Sequence, residues 1–372
     1  MTHTQTTSPN HRWVAAAVLM TASSISLLCL SRVAASTANT DAPAGVLLAV
    51  NEGESTLGII DPRSARQIAK VAEGGVAGHE VASSFDGKLA YVPIYGNSSL
   101  GEPGTDGKDM VAINIAARKV VGRLDFGHGV RPHAAIMNPH DGMLYVTTEL
   151  DRTVTVIDPK GLKIVGTIPT GQGQSHMLVL SHDGRLGYTA NVEPGTVSVL
   201  DIPARKLIAV IPLSTKVQRI AISTDDGMVF TADQVSRRLA VIDTSTRKLK
   251  TWIPLPAPGY GTTPTPDGRW LLVAMQSLSQ VAVIDLKAMQ VVRTIDLPKS
   301  PHEILMAPDG RTAYVSCSAS AVVAAIRIAD WAVTNLIKAG DHVDGLAWAP
   351  PGSDLQKLAD QTLSLDLDDP TQ

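Results

Sequence analysis

Residues 141–158 read Asp141-Gly142-Met143-Leu144-Tyr145-Val146-Thr147-Thr148-Glu149-Leu150-Asp151-Arg152-Thr153-Val154-Thr155-Val156-Ile157-Asp158. Asp-Gly between two apolar runs is a hairpin signal, because glycine takes the positive φ of a tight turn without a steric penalty. The run that follows, Leu144-Tyr145-Val146-Thr147, is rich in the aromatic and β-branched residues that suit a strand. A second run ends in Val156-Ile157-Asp158, and a third lies between Leu162 and Ile168.

The same pattern returns along the chain. Val199-Leu200-Asp201, Val241-Ile242-Asp243 and Val283-Ile284-Asp285 follow with their aspartates spaced by 43, 42 and 42 residues. The frame reaches Arg327 another 42 residues on, and upstream it reaches Asn114 (44 before Asp158) and Asp61 (53 before Asn114). That makes seven copies. Asp-Gly keeps step at Asp86, Asp141, Asp183, Asp226, Asp267 and Asp309. Each unit supplies four short strands, and four strands per period of roughly 40–45 residues is a propeller blade. No segment has a long helical apolar period, and two unrelated domains would not keep one period. The first copy, at Asp61, lacks a first strand, and the last unit has only one, near 345–349. Joining them completes a blade and removes two sheet edges. The predicted fold is therefore all-β: a seven-bladed β-propeller over 45–351, with four antiparallel strands per blade and a ring closed by N- and C-terminal strands in one blade.

The 372-residue chain carries a formal net charge of −3, with 18 % charged and 44 % hydrophobic residues. It can bury a core, and it has no basic patch of the kind nucleic acid requires. His11 and Arg12 precede an apolar run, Trp13 to Leu30, and small residues follow through Val33-Ala34-Ala35. This reads as a secretory signal over 1–35, followed by a linker over 36–44. Read instead as a membrane anchor, the run is interrupted by Thr21, Ser23, Ser24 and Ser26. Residues 352–372 read as an acidic tail. Cleavage would leave Cys317 as the one remaining cysteine, so no internal disulfide is expected. The expected location is periplasmic or secreted, with no membrane contact after cleavage, and the expected state is a monomer.

The Asp-Gly turn, the strands Tyr145-Val146-Thr147 and Tyr314-Val315-Ser316, and the Val-Ile-Asp run resemble the YVTN-repeat propellers, also called YncE-like. The resemblance spans about Gly45 to Pro350 and implies the fold. It leaves function open, because similar-looking propellers include the haem d1 domain of a nitrite reductase, lactonases, lyases and plain binding modules.

The first strand of a blade lies nearest the axis, and the residue that starts it faces the central funnel. Counting seven back from each Asp-Gly gives His79, His176, Arg219, Tyr260 and His302. His133 stands eight back in the second unit, and Asp344 matches in the split blade. Four of the eight histidines after residue 35 share this one position. The alternative is that duplication copied one structural histidine. Imidazole is a common metal ligand, so His79, His133, His176 and His302 are candidate ligands for Zn²⁺ or another divalent ion. Arg219 suits an anionic group and Tyr260 a proton transfer. Eight residues after most Asp-Gly aspartates stand Glu149, Asn191, Met275 and Cys317, with Asp233 close to step; Glu149 and Asp233 are the polar candidates. A turn-rich insertion, 95–108, lies over the same face and makes Tyr95 and Glu102 candidate contacts. Asp344 joins this ligand-binding set.

Three functions follow as expectations. The first is a binding propeller that takes a small-molecule or protein ligand at the funnel, with a divalent metal. The second is a metal-dependent lyase or lactonase-like hydrolase acting on a small anionic substrate. The third is a noncovalent haem-type redox domain. The sequence has no Cys-x-x-Cys-His, so covalent c-type haem is excluded.

Overall fold

Each Val-Ile-Asp run forms the third strand of a sheet, and its aspartate caps the turn that follows. Asp158 Oδ1 accepts from the Lys160 N–H at 3.0 Å, Asp243 from Thr246 at 2.8 Å and Asp285 from Lys287 at 2.9 Å. A carboxylate that folds back on the backbone two or three residues ahead stabilises a tight turn, which is why the repeat ends in aspartate.

The computed structural model describes residues 42–97, 100 and 102–352. These form seven four-stranded antiparallel sheets. Blades 1 to 6 occupy residues 82–125, 132–169, 175–212, 217–254, 262–296 and 301–338. The seventh blade joins the strand Val343–Ala349 to Val46–Asn51, Thr56–Asp61 and Arg66–Ala72. The first strands pack against one another in sequence and close into a ring. The fold is a seven-bladed β-propeller whose termini close one blade. The predicted signal lies outside the described residues, as do most of the linker and the tail. Among the described residues, no helix is long and apolar enough to cross a membrane.

The inner strands of a blade are apolar on both faces because each face packs on a neighbouring blade. Val154, Val156 and Ile157, and likewise Leu239 to Ile242, are buried. The outer strands alternate with solvent and keep one buried anchor near their end: Ile168, Ile211, Ile253, Ile295 or Ile337. Pro169, Pro212 and Pro254 follow three of these anchors. Proline offers no N–H, which blunts an exposed edge. In each blade the register slips once between third and fourth strands, as between Val156 and Ile157. Such a bulge adds the twist a blade needs.

The turn between first and second strands explains a fault in the sequence frame. It opens at Ser84, Asn138, Ser181, Ser223, Thr265 or Ala307, and most copies put a glycine of positive φ three residues later: Gly87, Gly184, Gly268 and Gly310. In blade 4, Asp226 holds that place at φ 58°, so the Asp-Gly pair sits one residue late. In blade 2 it is also late, with Gly142 four residues after Asn138. Counting from Asp-Gly therefore slips by one in both blades.

Candidate functional site

Five residues before each turn-opening residue stand His79, His133, His176, Gln218, Tyr260 and His302. In the closing blade, Val343 pairs with Asn51 as Ser175 pairs with Asn191, which puts Asp344 in the same place. The leading position of blade 4 is therefore Gln218. Arg219, expected there, is one step deeper, for the turn reason above. A second row stands one residue past the end of most second strands' pairing: Glu52, Glu149, Gln234, Gln276 and Ser318 are its polar members, and in blade 1 Tyr95 falls at the register shift between Ile94 and Gly96.

Three imidazoles converge. His133 and His176 stack with centroids 3.5 Å apart, and His79 lies 5.4 Å from His133. Tyr95 closes over them, 4.8 Å from His79 and 5.4 Å from His133, and is fully buried. The Glu149 carboxylate accepts the Tyr95 hydroxyl at 2.9 Å and contacts His176 Nδ1. His133 Nδ1 is buried without a hydrogen-bond partner. Burial, then the neighbouring imidazole of His176, pushes the His133 pKa well below the usual histidine value. Burial lowers that of His79 as well.

His302 does not join the trio. Its ring packs on Tyr260 at 4.7 Å, and Gln276 Nε2 lies 2.9 Å from its Nε2. Gln218 Nε2 bridges the two groups, donating to Tyr260 Oη at 2.8 Å and facing His176 Nε2 at 3.2 Å. Burial pushes the Tyr260 hydroxyl up, so it holds its proton.

Arg219 fills the axis between and beneath these groups. From blade 4 it reaches Asp344 at 2.7 Å, Glu303 at 2.5 Å, and Glu80. It was expected to receive an anionic ligand. Instead it is 2 % exposed and held by the chain's own carboxylates. Burial raises the Glu80 and Glu303 carboxyls above their usual range against the pull of Arg219. Burial acts the same way on Asp344, but Arg219 and the facing histidines hold it below. The first strands also line an open cavity of about 310 Å³, bordered by Ala134, Met177, Ile220, Thr262, Leu346 and the two glutamates.

Sequence reasoning missed Glu80, Glu303, Gln218 and Gln276. The first two directly follow leading histidines, so His-Glu at 79–80 and 302–303 was a visible signal. Alternation along a strand would turn neighbours to opposite faces. The register shifts between Pro301 and Ile304 and between Val217 and Ile220 let both neighbours face inward. Two expected contacts are not brought in. Asp233 caps its own turn, accepting from Val235 and Ser236 at 2.9 Å, and binds Arg238. Glu102 has an exposed side chain, and only its carbonyl is used, by Arg131 Nη2 at 2.8 Å. Ser98, Ser99 and Gly101 of the insertion lie outside the described residues. Cys317 is buried, and burial pushes its thiol up to about 12.

The family whose pattern matches is the Cytochrome D1 heme domain, over residues 105–308. That is more than half of the chain. The chain belongs to the cytochrome D1 heme domain family. The match runs from the third strand of blade 1 into blade 6 and contains His133, Glu149, His176, Gln218, Arg219, Tyr260 and His302. No curated protein matches the chain. Among solved structures, hydrazine synthase of Kuenenia stuttgartiensis is similar at 18 % identity and TM-score 0.66, with 78 % of this chain and 97 % of that one covered. A functionally unknown protein from Desulfotomaculum acetoxidans DSM 771 is similar at 14 % and 0.69, covering 83 % and 100 %. Dihydro-heme d1 dehydrogenase NirN, solved in complex with DHE, is similar at 16 % and 0.60, covering 86 % and 78 %. At these identities the structures speak for the fold alone. The YVTN resemblance thus holds at the level of a propeller family. The family match overturns the expectation of a divalent metal in the funnel, and with it the metal-binding function. The family is one of haem domains, the third expectation above.

Proposed function

We propose that this chain holds a haem-type macrocycle, without a covalent link, over the histidine face of its propeller. The observation that carries this is the cytochrome D1 heme domain match across 105–308, a stretch that contains the stacked imidazoles of His133 and His176. The donor set fits such a group. His133 Nδ1 is a buried nitrogen without a partner, imidazole is a standard axial ligand for haem iron, and the chain lacks the cysteines of covalent attachment. Leu150, Val235 and Leu278, on loops at the same face, expose 48 %, 64 % and 45 % of their surface and suit a flat apolar ring.

The chain's own residues have separable roles. His79, His133 or His176 would provide the axial imidazole. Tyr95 excludes water from the trio. Tyr260, which accepts from Gln218, keeps its own hydroxyl proton at Oη to donate. When bound, the group would supply an iron that changes oxidation state and can take up a small ligand. We further infer that residues 1–35 direct export to the periplasm, leaving a 45–351 propeller, and that the Tyr-Val-Thr and Val-Ile-Asp motifs mark kinship with YVTN repeats within the propeller class.

The test is titration of the purified chain with haem d1, and with protohaem for comparison, followed by visible spectroscopy. A saturable shift of the haem bands at one equivalent is expected, and it should be lost in His133→Ala/His176→Ala. No shift in the native chain, or the same shift in the double variant, would overturn the proposal.

A further inference from the structure

We infer that Glu149 fixes His176 as the Nδ1–H tautomer and thereby makes His176 Nε2 the donor atom this chain offers to its macrocycle. The second half rests on the haem reading above; the first is a property of the chain alone.

Two neighbours of His176 demand the same tautomer. On one side is the Glu149 carboxylate, buried at 2 % exposure, which contacts Nδ1. A carboxylate that already accepts the Tyr95 hydroxyl has only acceptors to offer, so Nδ1 carries the hydrogen. On the other side, Gln218 Nε2 lies 3.2 Å from His176 Nε2 and 2.8 Å from Tyr260 Oη. An amide nitrogen is a donor with two hydrogens, one for each neighbour, so Nε2 carries a lone pair. A ligand arriving at Nε2 takes the place of Gln218 there, and the amide keeps its bond to Tyr260.

The other histidines are held less definitely. His133 Nδ1 has no partner. The carboxylates beside His79 stand off at 3.6 Å (Glu52) and 3.9 Å (Asp344). His302 faces the Gln276 amide with both ring nitrogens, at 3.0 and 2.9 Å. A carboxylate behind an imidazole fixes its orientation and raises its basicity, and loss of such a partner weakens metal ligation. Glu149 is thus a positioning residue that acts through His176.

Two measurements decide this. Long-range ¹H–¹⁵N spectra of the chain without added haem, assigned against His176→Ala, should show His176 neutral with hydrogen on Nδ1. Glu149→Gln, which keeps an acceptor oxygen, should retain that tautomer, and Glu149→Ala, which leaves only the Gln218 amide to select it, should show hydrogen shared between the two nitrogens. Hydrogen on Nε2, or on both nitrogens, in the native chain overturns the first half. In the second measurement, Glu149→Gln loaded with haem d1 or protohaem should bind roughly 10–100-fold more weakly and show a raised midpoint potential. Unchanged affinity and potential overturn the donor role. If the native chain takes up neither macrocycle, the haem reading falls and the donor role with it, while the spectra still decide the tautomer.

Discussion

Arg219 shows how a residue's type can be plain in the sequence while its job is not. An arginine at a funnel suggests a ligand's carboxylate, yet this guanidinium answers to Glu80, Glu303 and Asp344 from three other blades. Removing one partner of a buried charge cluster leaves the others without compensation, and such losses cost about 3–5 kcal/mol. Arg219→Met should therefore lower the unfolding free energy by about that amount near neutral pH. The deficit should shrink in acid, where Glu80 and Glu303, whose carboxyls burial already raises, are neutral in the variant. Urea denaturation of both chains at pH 5 and pH 7.5 checks it, and a deficit that grows in acid would contradict the account. Spacing before the Asp-Gly turns made His133 and His176 candidates, and the insertion 95–108 made Tyr95 one. That Glu149 stands behind His176 was legible only as a polar residue on the correct face.

At the scale of the element, the connection from Arg66–Ala72 to blade 1 carries His79 and holds a titrating group. Glu73 Oε2 accepts the Gly78 N–H at 2.9 Å, while its Oε1 is buried without a partner. A side chain at Gly78 would meet Val92 Cγ1 at 2.4 Å, so the chain passes there only as glycine. Burial raises the Glu73 pKa from 4.5 to about 7. A raised carboxyl favours the folded state while it is protonated. Its contribution is complete below pH 4.5 and is lost as pH climbs through 7. The loss is on the order of 3 kcal/mol for a shift of this size. Glu73→Gln should flatten the fall in stability between pH 4.5 and 8, as read from thermal midpoints across that range; an unchanged slope would place the titration elsewhere. The turns give the matching lesson about legibility. Asp-Gly marked every one of them in blades 1 to 6, yet in blade 4 the left-handed place is taken by Asp226. Only the turn's backbone hydrogen bonds moved the leading position from Arg219 to Gln218.

For the whole molecule, the decisive feature is the closing blade. Val343–Ala349 pairs with Val46–Asn51, so residues from opposite ends of the propeller complete one sheet. Deleting everything from Val343 onward strips the inner neighbour from Leu47, Leu48 and Ala49 and removes Asp344 from the Arg219 cluster. An unpaired apolar edge recruits other chains. The truncated protein should elute as higher oligomers or aggregate on gel filtration, and a monomer with the native thermal midpoint would contradict the role of the closure. The sequence by itself determined the repeat, the four strands per blade, the count of blades and the pairing of the ends. Those depend on short-range alternation, turn chemistry and a fixed period, all written along the chain. Tertiary structure decided which imidazoles meet, that Arg219 seals the axis, and that Glu149 orients His176. These contacts join residues from separate blades, and their reach depends on bulges and one-residue shifts in strand register that the spacing of motifs does not record.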